Sequence, residues 1–281
     1  MSVVTVRPFE LRDLDAVARF GEAARALDPS IEPFAQRLGV IATGTRALLE
    51  AWRVAEGEDE AVYGIAFLAV RDAATFDVYA AVHPSLRRQG LGRTLCEGAL
   101  ATGASLRARV RDDARPGMSF LSALGFAQAG AQLSLQWRTR PLPSIEMPAL
   151  QLRRALPRDE PVLQRLSREA WSADTFATRP DEIAQLFGDE GRVLWLAEAQ
   201  RKPLGYFSGV QLGKTLGIEE LAVLPAHRRM GIARALLARA LQGQQAAVLS
   251  VAEANQPARN LYKSFGFTVA ARRLIYELKP G

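Results

Sequence analysis

The apolar and polar positions fall into one order of elements, and they do so twice. Short strands are predicted at VVTVRPF (3–9) and LQLRRA (150–155). Each is followed by an amphipathic helix beginning near a capping-type aspartate, RDLDAVARFGEAA (12–24) and RDEPVLQRLSREA (158–170). Two strands around a polar turn come next, ALLEAWRVAEG with AVYGIAFLAV in the first case and RVLWLAEAQ with PLGYFSGVQ in the second. A strand ending in Val-x-Pro leads to an arginine-rich loop containing glycine, then a helix, a strand (LRARVR; AAVLSVA), a second helix, and a last strand after Gly-Phe (QLSLQWR; RRLIYEL). Helices interleaved with strands predict an α/β fold in each half, a mixed central sheet flanked by helices.

The two patterns are copies of one another. Ala81, Val82, Pro84, Arg87, Arg88, Gly90 and Leu91 match Ala222, Val223, Pro225, Arg228, Arg229, Gly231 and Ile232, each pair 141 positions apart. The same offset carries Gly64 to Gly205 and Gly125-Phe126 to Gly266-Phe267. Earlier in each half Arg7 matches Arg153 and Asp13 matches Asp159 at an offset of 146, so the second copy is shorter somewhere between 160 and 200. Pro141, Pro143 and Pro148 lack amide donors and mark a linker at about 140–149. The expected domains are 1–140 and 149–281. A length of 281 residues agrees with two domains at roughly 150 residues each.

Composition narrows the picture. Apolar residues are 48% of the chain, enough for a sizeable core. No run of 18 apolar residues occurs, and MSVVTVRPFELRD has charges where a signal peptide needs an apolar stretch, so no membrane partner and a cytoplasmic location are expected. Cys96, in LCEGAL, reads as a small buried hydrophobe. The net charge of +6 and pI near 9.9 invite a nucleic-acid reading, but the arginines are spread along both halves, and no nucleic-acid partner is expected. No His/Cys/Asp cluster has metal-ligand spacing, so no metal is expected.

The candidate chemistry centres on VLPAHRRMGIARALLARAL. A strand ends at Val223, Pro225 breaks it, and Ile232, Leu236, Leu237 and Leu241 have helical spacing. Between them Arg228, Arg229, Met230, Gly231, Ile232 and Ala233 form a tight turn, where Gly231 permits positive φ and Ala233 keeps bulk away. Free amides at a helix N-terminus, backed by the helix dipole, make an anion site suited to phosphate. There is no Gly-Lys-Ser/Thr of a P-loop and no three-glycine dinucleotide fingerprint.

A second landmark, NQPARNLYKSFGF at 255–267, completes a resemblance to the GNAT superfamily of acyl-CoA-dependent N-acetyltransferases. The family's pyrophosphate loop is matched by Arg228, Gly231 and Ala233. Its later segment is matched by Asn255, Ala258, Leu261, Tyr262, Gly266 and Phe267. The first copy shares the loop, as Arg87, Gly90 and Gly92, but has Leu121 where the second has Tyr262, and Val78 and Tyr79 where it has Glu219 and Glu220. The resemblance implies two tandem GNAT-like domains, a degenerate first and a catalytic second, with acetyl-CoA as acyl donor. It implies that the backbone of Leu221, Ala222 and Val223 and the loop with Asn255 hold the donor. A small-molecule or peptide amine is the implied acceptor.

Acyl transfer to an amine needs the nitrogen lone pair freed and the departing thiolate stabilised. Deprotonating a lysine-like amine of pKa about 10.4 at pH 7 costs roughly 4 to 5 kcal/mol, an α-amine near 8 only about 1. Alternation along the strand puts Glu219 and Glu220 on opposite faces. In resembling enzymes the acceptor-facing parity is that of Glu219, Leu221 and Val223, which favours Glu219 as the base. Tyr262 is by resemblance the partner of the thiolate. Trp171, Asp174, Asp181 and Glu182 suggest a partly acidic acceptor wall. The residues leave open a non-catalytic acyl-CoA-binding or sensing protein, and either a monomer that is a pseudo-dimer of domains or a homodimer.

Overall fold

The structure is a computed structural model that describes residues 4–29, 31, 46–72, 74–171, 186–187 and 191–280. The chain divides into two compact units, residues 1–131 with 272–281, and residues 132–271. Each is a mixed sheet flanked by helices, as the alternation of elements predicts.

In the first unit β1 (Val4–Pro8), β2 (Arg53–Gly57), β3 (Val62–Val70) and β4 (Thr75–Val82) pair antiparallel in that order, and β4 runs parallel to β5 (Ser105–Arg111). Helix α1 (Leu14–Leu27) packs Val17, Phe20 and Ala24 with Trp52 and Phe67. Helix α2 (Leu91–Leu100) packs Leu95 and Cys96 with Ala55 and Ala66, and α3 (Arg115–Ala123) adds Leu121 to the core. Burial pushes the Cys96 thiol up to about 12, as befits the packing role expected of it.

The second unit repeats the plan. β7 (Gln151–Arg154), β8 (Arg192–Ala199), β9 (Lys202–Leu212) and β10 (Thr215–Val223) pair antiparallel, and β10 is parallel to β11 (Ala246–Ala252). Helix α4 (Glu160–Ala170) places Leu163 and Leu166 on Leu194, Leu196 and Tyr206. Helices α5 (Ile232–Leu241) and α6 (Gln256–Ser264) place Leu236, Leu237 and Tyr262 in a core with Phe207, Leu216 and Leu249.

The repeats at 1–140 and 149–281 do not coincide with the compact units, because the closing strands are exchanged. From β6 (Ala127–Arg138), residues 132–138 pair antiparallel with β11. From β12 (Thr268–Leu278), residues 273–278 pair antiparallel with β5. Leu133, Leu135 and Trp137 enter the second core, where the Trp137 indole donates to the Phe265 carbonyl at 3.0 Å. Leu274 and Tyr276 enter the first. Both strands carry the same alternation, so either suits either edge by pattern alone.

The aspartates at the helix starts are placed as expected but are used differently. Asp13 and Asp159, each 5% exposed, precede α1 and α4 without capping the amides ahead of them. They accept from Glu10 N–H and Leu156 N–H behind them, both at 2.8 Å, and from an arginine fork. Arg153 donates to Asp159 at 2.7 and 2.8 Å and to Glu198 at 3.1 and 2.9 Å. Arg7 does the same with Asp13 and Glu56. One guanidinium thereby ties the first strand, the helix start and the second strand of each unit.

The hydrogen bonds of Arg153 hold Asp159 below the usual carboxylate range, burial opposing them. A carboxylate held low in the folded state stabilises it above the unfolded value, near 4, and that contribution is lost as pH falls through the lower folded value. Asp159→Asn is expected to cost about 2–3 kcal/mol near pH 7 and to flatten the acid limb of a stability-against-pH curve. Urea melts from pH 7 to pH 3 measure both, and an unchanged acid limb would exclude this account of the clamp.

Candidate active site

The geometry of the second unit begins with an opening in its sheet. The parallel pairing of β10 and β11 runs only from Thr215↔Ala246 to Ile218↔Leu249. Beyond Ile218 the edge of β10 that faced β11 has no strand partner among the described residues, while β11 stays paired with β6 through Ala252. Where the strands part, β10 carries a bulge: Ile218 stands opposite Gly209 and Glu220 opposite Ser208, which leaves Glu219 as the extra residue. A bulge at such a place re-aims side chains.

The bulge corrects the face assignment drawn from strict alternation. Tyr206 and Ser208 stand two apart on β9 and share a face. The Ser208 hydroxyl is 3.3 Å from Glu219 Oε2, and the Tyr206 hydroxyl donates to Glu220. Both carboxylates therefore lie on the side of Tyr206, which packs with α4, whereas Leu221 and Val223 pack with α5 residues. Glu219 does not share their parity. It is 41% exposed and forms an ion pair with Arg192. Glu220 is tied to a fully buried phenol, which burial and then the charge of Glu220 push well above its ordinary value. That tyrosine stays a donor to Glu220.

From Val223 the chain enters the predicted turn. Arg229 at φ 65° and Gly231 at φ 88° are both left-handed, and Gly231 is the residue from which α5 departs. Ile232 is buried at 3%, while Met230 is 60% exposed. The Arg228 side chain points inward: Nε donates to Val223 O at 3.2 Å and Nη2 to Ala170 O at 2.7 Å, bracing the end of β10 against the end of α4. Charge alone could not show this bracing role. A side chain on Gly231 would approach the Met147 sulfur at 3.4 Å, so the linker runs beside the turn.

The other expected residues are placed as follows by the structure. Asn255 caps α6, its Oδ1 accepting from Ala258 N–H at 3.1 Å, and so starts the helix that carries Tyr262. Tyr262 is 8% exposed and meets Phe267 edge-on at 5.4 Å between ring centroids. Burial pushes its phenol up to about 12. Ala222 is buried on the α4 side, and Ala233 lies against the α5-side core. Trp171 closes α4, its amide donating to Ser167 O at 3.0 Å; Asp174, Asp181 and Glu182 lie outside the described residues. Among the described residues no group of three or more His, Cys, Asp or Glu could hold a metal ion, and no helix is long and apolar enough to cross a membrane.

The first unit has the turn without the bulge. Arg88 at φ 65° and Gly90 at φ 83° reproduce the backbone, and Arg87 braces Val82 O at 3.2 Å and Asp28 at 2.7 Å. Its parallel pairing also stops early, at Val78↔Ala108, but β4 keeps unbroken register with β3 from Phe76 to Val82. Tyr79, at the position of Glu220, stacks on Phe67 and accepts from Arg109 at 2.9 Å. Gly92 is helical, and a Cβ there would stand 3.1 Å from Phe120, so its small size serves packing.

Residues 158–267 match the family model described as the acetyltransferase (GNAT) family. Over that span the chain is similar to the GNAT family. The matched span runs from the start of α4 to Phe267 and holds the bulge, the turn and Tyr262. The chain is similar to a curated mycothiol acetyltransferase of Thermomonospora curvata, 29% identical over 79% of this chain and 81% of the relative. Its fold matches a GCN5-related N-acetyltransferase from Sphaerobacter thermophilus, with TM-score 0.81, 20% identity, and 99% and 96% of the two chains covered. It also matches a tandem GNAT protein from the clavulanic acid biosynthesis pathway, with TM-score 0.70, 18% identity and 99% of each chain covered.

Ser208, Tyr206, Arg192 and the bulge were not among the sequence candidates. A serine and a tyrosine two apart inside the apolar run PLGYFSGVQ are the available signal, since buried polar groups on one strand face need partners.

Proposed function

We propose that the second unit transfers an acetyl group from acetyl-CoA to a small-molecule primary amine. The observation that carries this reading is the partnerless edge of β10 running from a bulge at Glu219 into a left-handed turn at Gly231. That edge presents backbone groups able to pair with an amide-containing arm, and the turn presents N-terminal amides of α5 to a pyrophosphate. The residues therefore fit acetyl-CoA, which supplies an activated thioester. Leu221 and Val223 would hold its arm through backbone, and the amides from Arg229 to Ala233 its phosphates. Arg228 contributes by fixing the turn, and Asn255 by starting α6.

Glu219 is the proposed base, acting directly or through a water. It is the more exposed of the two carboxylates and is oriented by Arg192 and Ser208, whereas Glu220 is committed to Tyr206. Tyr262 donates toward the sulfur as negative charge develops there. The first unit, with Val78, Tyr79 and Leu121 at the corresponding places, has no proton handlers of this kind and is proposed as non-catalytic. The name of the curated relatives directs the acceptor search toward amines that become mycothiol on acetylation.

Release of CoA thiol from acetyl-CoA across polyamines, amino acids, aminoglycosides and a mycothiol precursor tests the activity. Acetyl-CoA binding without turnover on any amine would favour an acyl-CoA sensor instead. Glu219→Gln is expected to lower kcat/KM about 10²-fold or more for an amine of pKa near 10, and less for an α-amine, which needs little help losing its proton. Glu220→Gln should act mainly on stability. Equal rates for Glu219→Gln and wild type on the high-pKa amine would remove Glu219 from the role.

A further inference from the structure

A cavity of about 570 Å³ lies in the second unit between β8, β9 and the C-terminal end of α5. It lies away from the anion turn, since Gly231 is at the opposite, N-terminal end of the same helix, and Arg192, which pairs with Glu219, is the residue it shares with the proposed acyl-transfer site. It is an open groove, and Arg154 and Arg239 are exposed along it. Arg154, Arg192 and Arg239 line it, together with Trp195, Gln211 and Gln244.

The charge in this cavity is unbalanced. Arg192 is matched by Glu219. Arg154 and Arg239 have no carboxylate partner among the described residues: Arg154 reaches the Arg192 carbonyl at 3.5 Å, and Arg239 reaches the Gln242 side-chain oxygen at 2.5 Å. Both guanidiniums are instead held on one aromatic ring, 4.9 and 4.2 Å from the centre of Trp195, which is 8% exposed. Both cations lie over the same ring, and contacts through a guanidinium face leave N–H groups beyond those given to the Arg192 carbonyl and Gln242 for other partners. Two forks of this kind, with glutamine amides beside them, match an oxygen-rich anion that can accept bidentate pairs from each. The C-terminal end of α5 carries roughly half a negative charge, which two full positive charges outweigh.

We propose that this cavity binds a small multivalent oxyanion, a phosphoryl or polycarboxylate compound, between Arg154 and Arg239. Calorimetric titration of the full-length chain with inorganic pyrophosphate, and separately with citrate, tests it. Saturating CoA is present so that the turn at Gly231 is not the site read. Saturable binding at one site per chain is expected for at least one probe, and the probe that binds tells phosphoryl from polycarboxylate recognition. Arg154→Gln/Arg239→Gln should weaken it at least tenfold while the CoA titration is unchanged. The single substitutions, each expected to weaken it several-fold, serve if the double variant does not fold. Absence of saturable binding for both probes, or binding undiminished in these variants, overturns the proposal.

Discussion

Gly231→Glu is expected to weaken acetyl-CoA binding by about 100-fold or more and to remove acetyl transfer, whereas Gly90→Glu should leave transfer within about threefold of wild type. Three effects combine at Gly231. Its φ of 88° is a backbone state that costs an L-residue roughly 1–2 kcal/mol. A Cβ there would approach the Met147 sulfur at 3.4 Å, a contact a flexible thioether can relax. The decisive effect is charge, because a carboxylate beside the amides that begin α5 competes with a phosphate and repels it. Gly231→Ala has the strain without the charge, so it should fall between the two. Calorimetry with acetyl-CoA on each variant counts sites and separates the units. Transfer that survives Gly231→Glu and fails in Gly90→Glu would move the chemistry to the first unit.

How much of this was legible before the structure depends on whether a feature is local. The turn could be read because Gly231, Pro225 and the apolar spacing of α5 lie within some twenty residues, and backbone rules act at that range. The clamp was half legible. Arg7 with Arg153 and Asp13 with Asp159 stood out as matched pairs, but Glu56 and Glu198 complete each fork from a strand more than forty residues away. Nothing local marks either glutamate. The bulge failed for a similar reason: strict alternation is the correct prior for a strand, and only pairing with β9 shows that Glu219 is the extra residue. The exchange of β6 and β12 was hidden by the repeat itself, since Leu133, Leu135 and Trp137 present the same alternation as Leu274, Tyr276 and Leu278. Charge patterns likewise gave Arg228 its sign without its direction. Local backbone geometry was therefore readable, and long-range pairing was not.

Tyr262→Phe is expected to lower kcat by 10²- to 10³-fold, with little change in KM for either substrate and little loss of stability. The ring is buried against Phe267, and phenylalanine keeps that packing. What is lost is one donor. Burial has pushed the phenol up to about 12, so it remains protonated at every pH at which the chain would be assayed. Against a thiol near 8.5, complete transfer of its proton would be uphill by about 5 kcal/mol. The phenol is thus too weak an acid to hand its proton over fully. On the proposed mechanism its contribution is a hydrogen bond that strengthens as the sulfur gains charge, available without reorganisation because the ring is held in place. The pH profile distinguishes the two descriptions. A proton donor that titrated in the working range would put an alkaline limb on kcat, and its removal would abolish that limb. Here the profile of Tyr262→Phe should parallel that of wild type up to about pH 10, displaced downward by a constant factor. A variant that retains full kcat, or one that loses an alkaline limb present in the wild type, would rule out this role for the tyrosine.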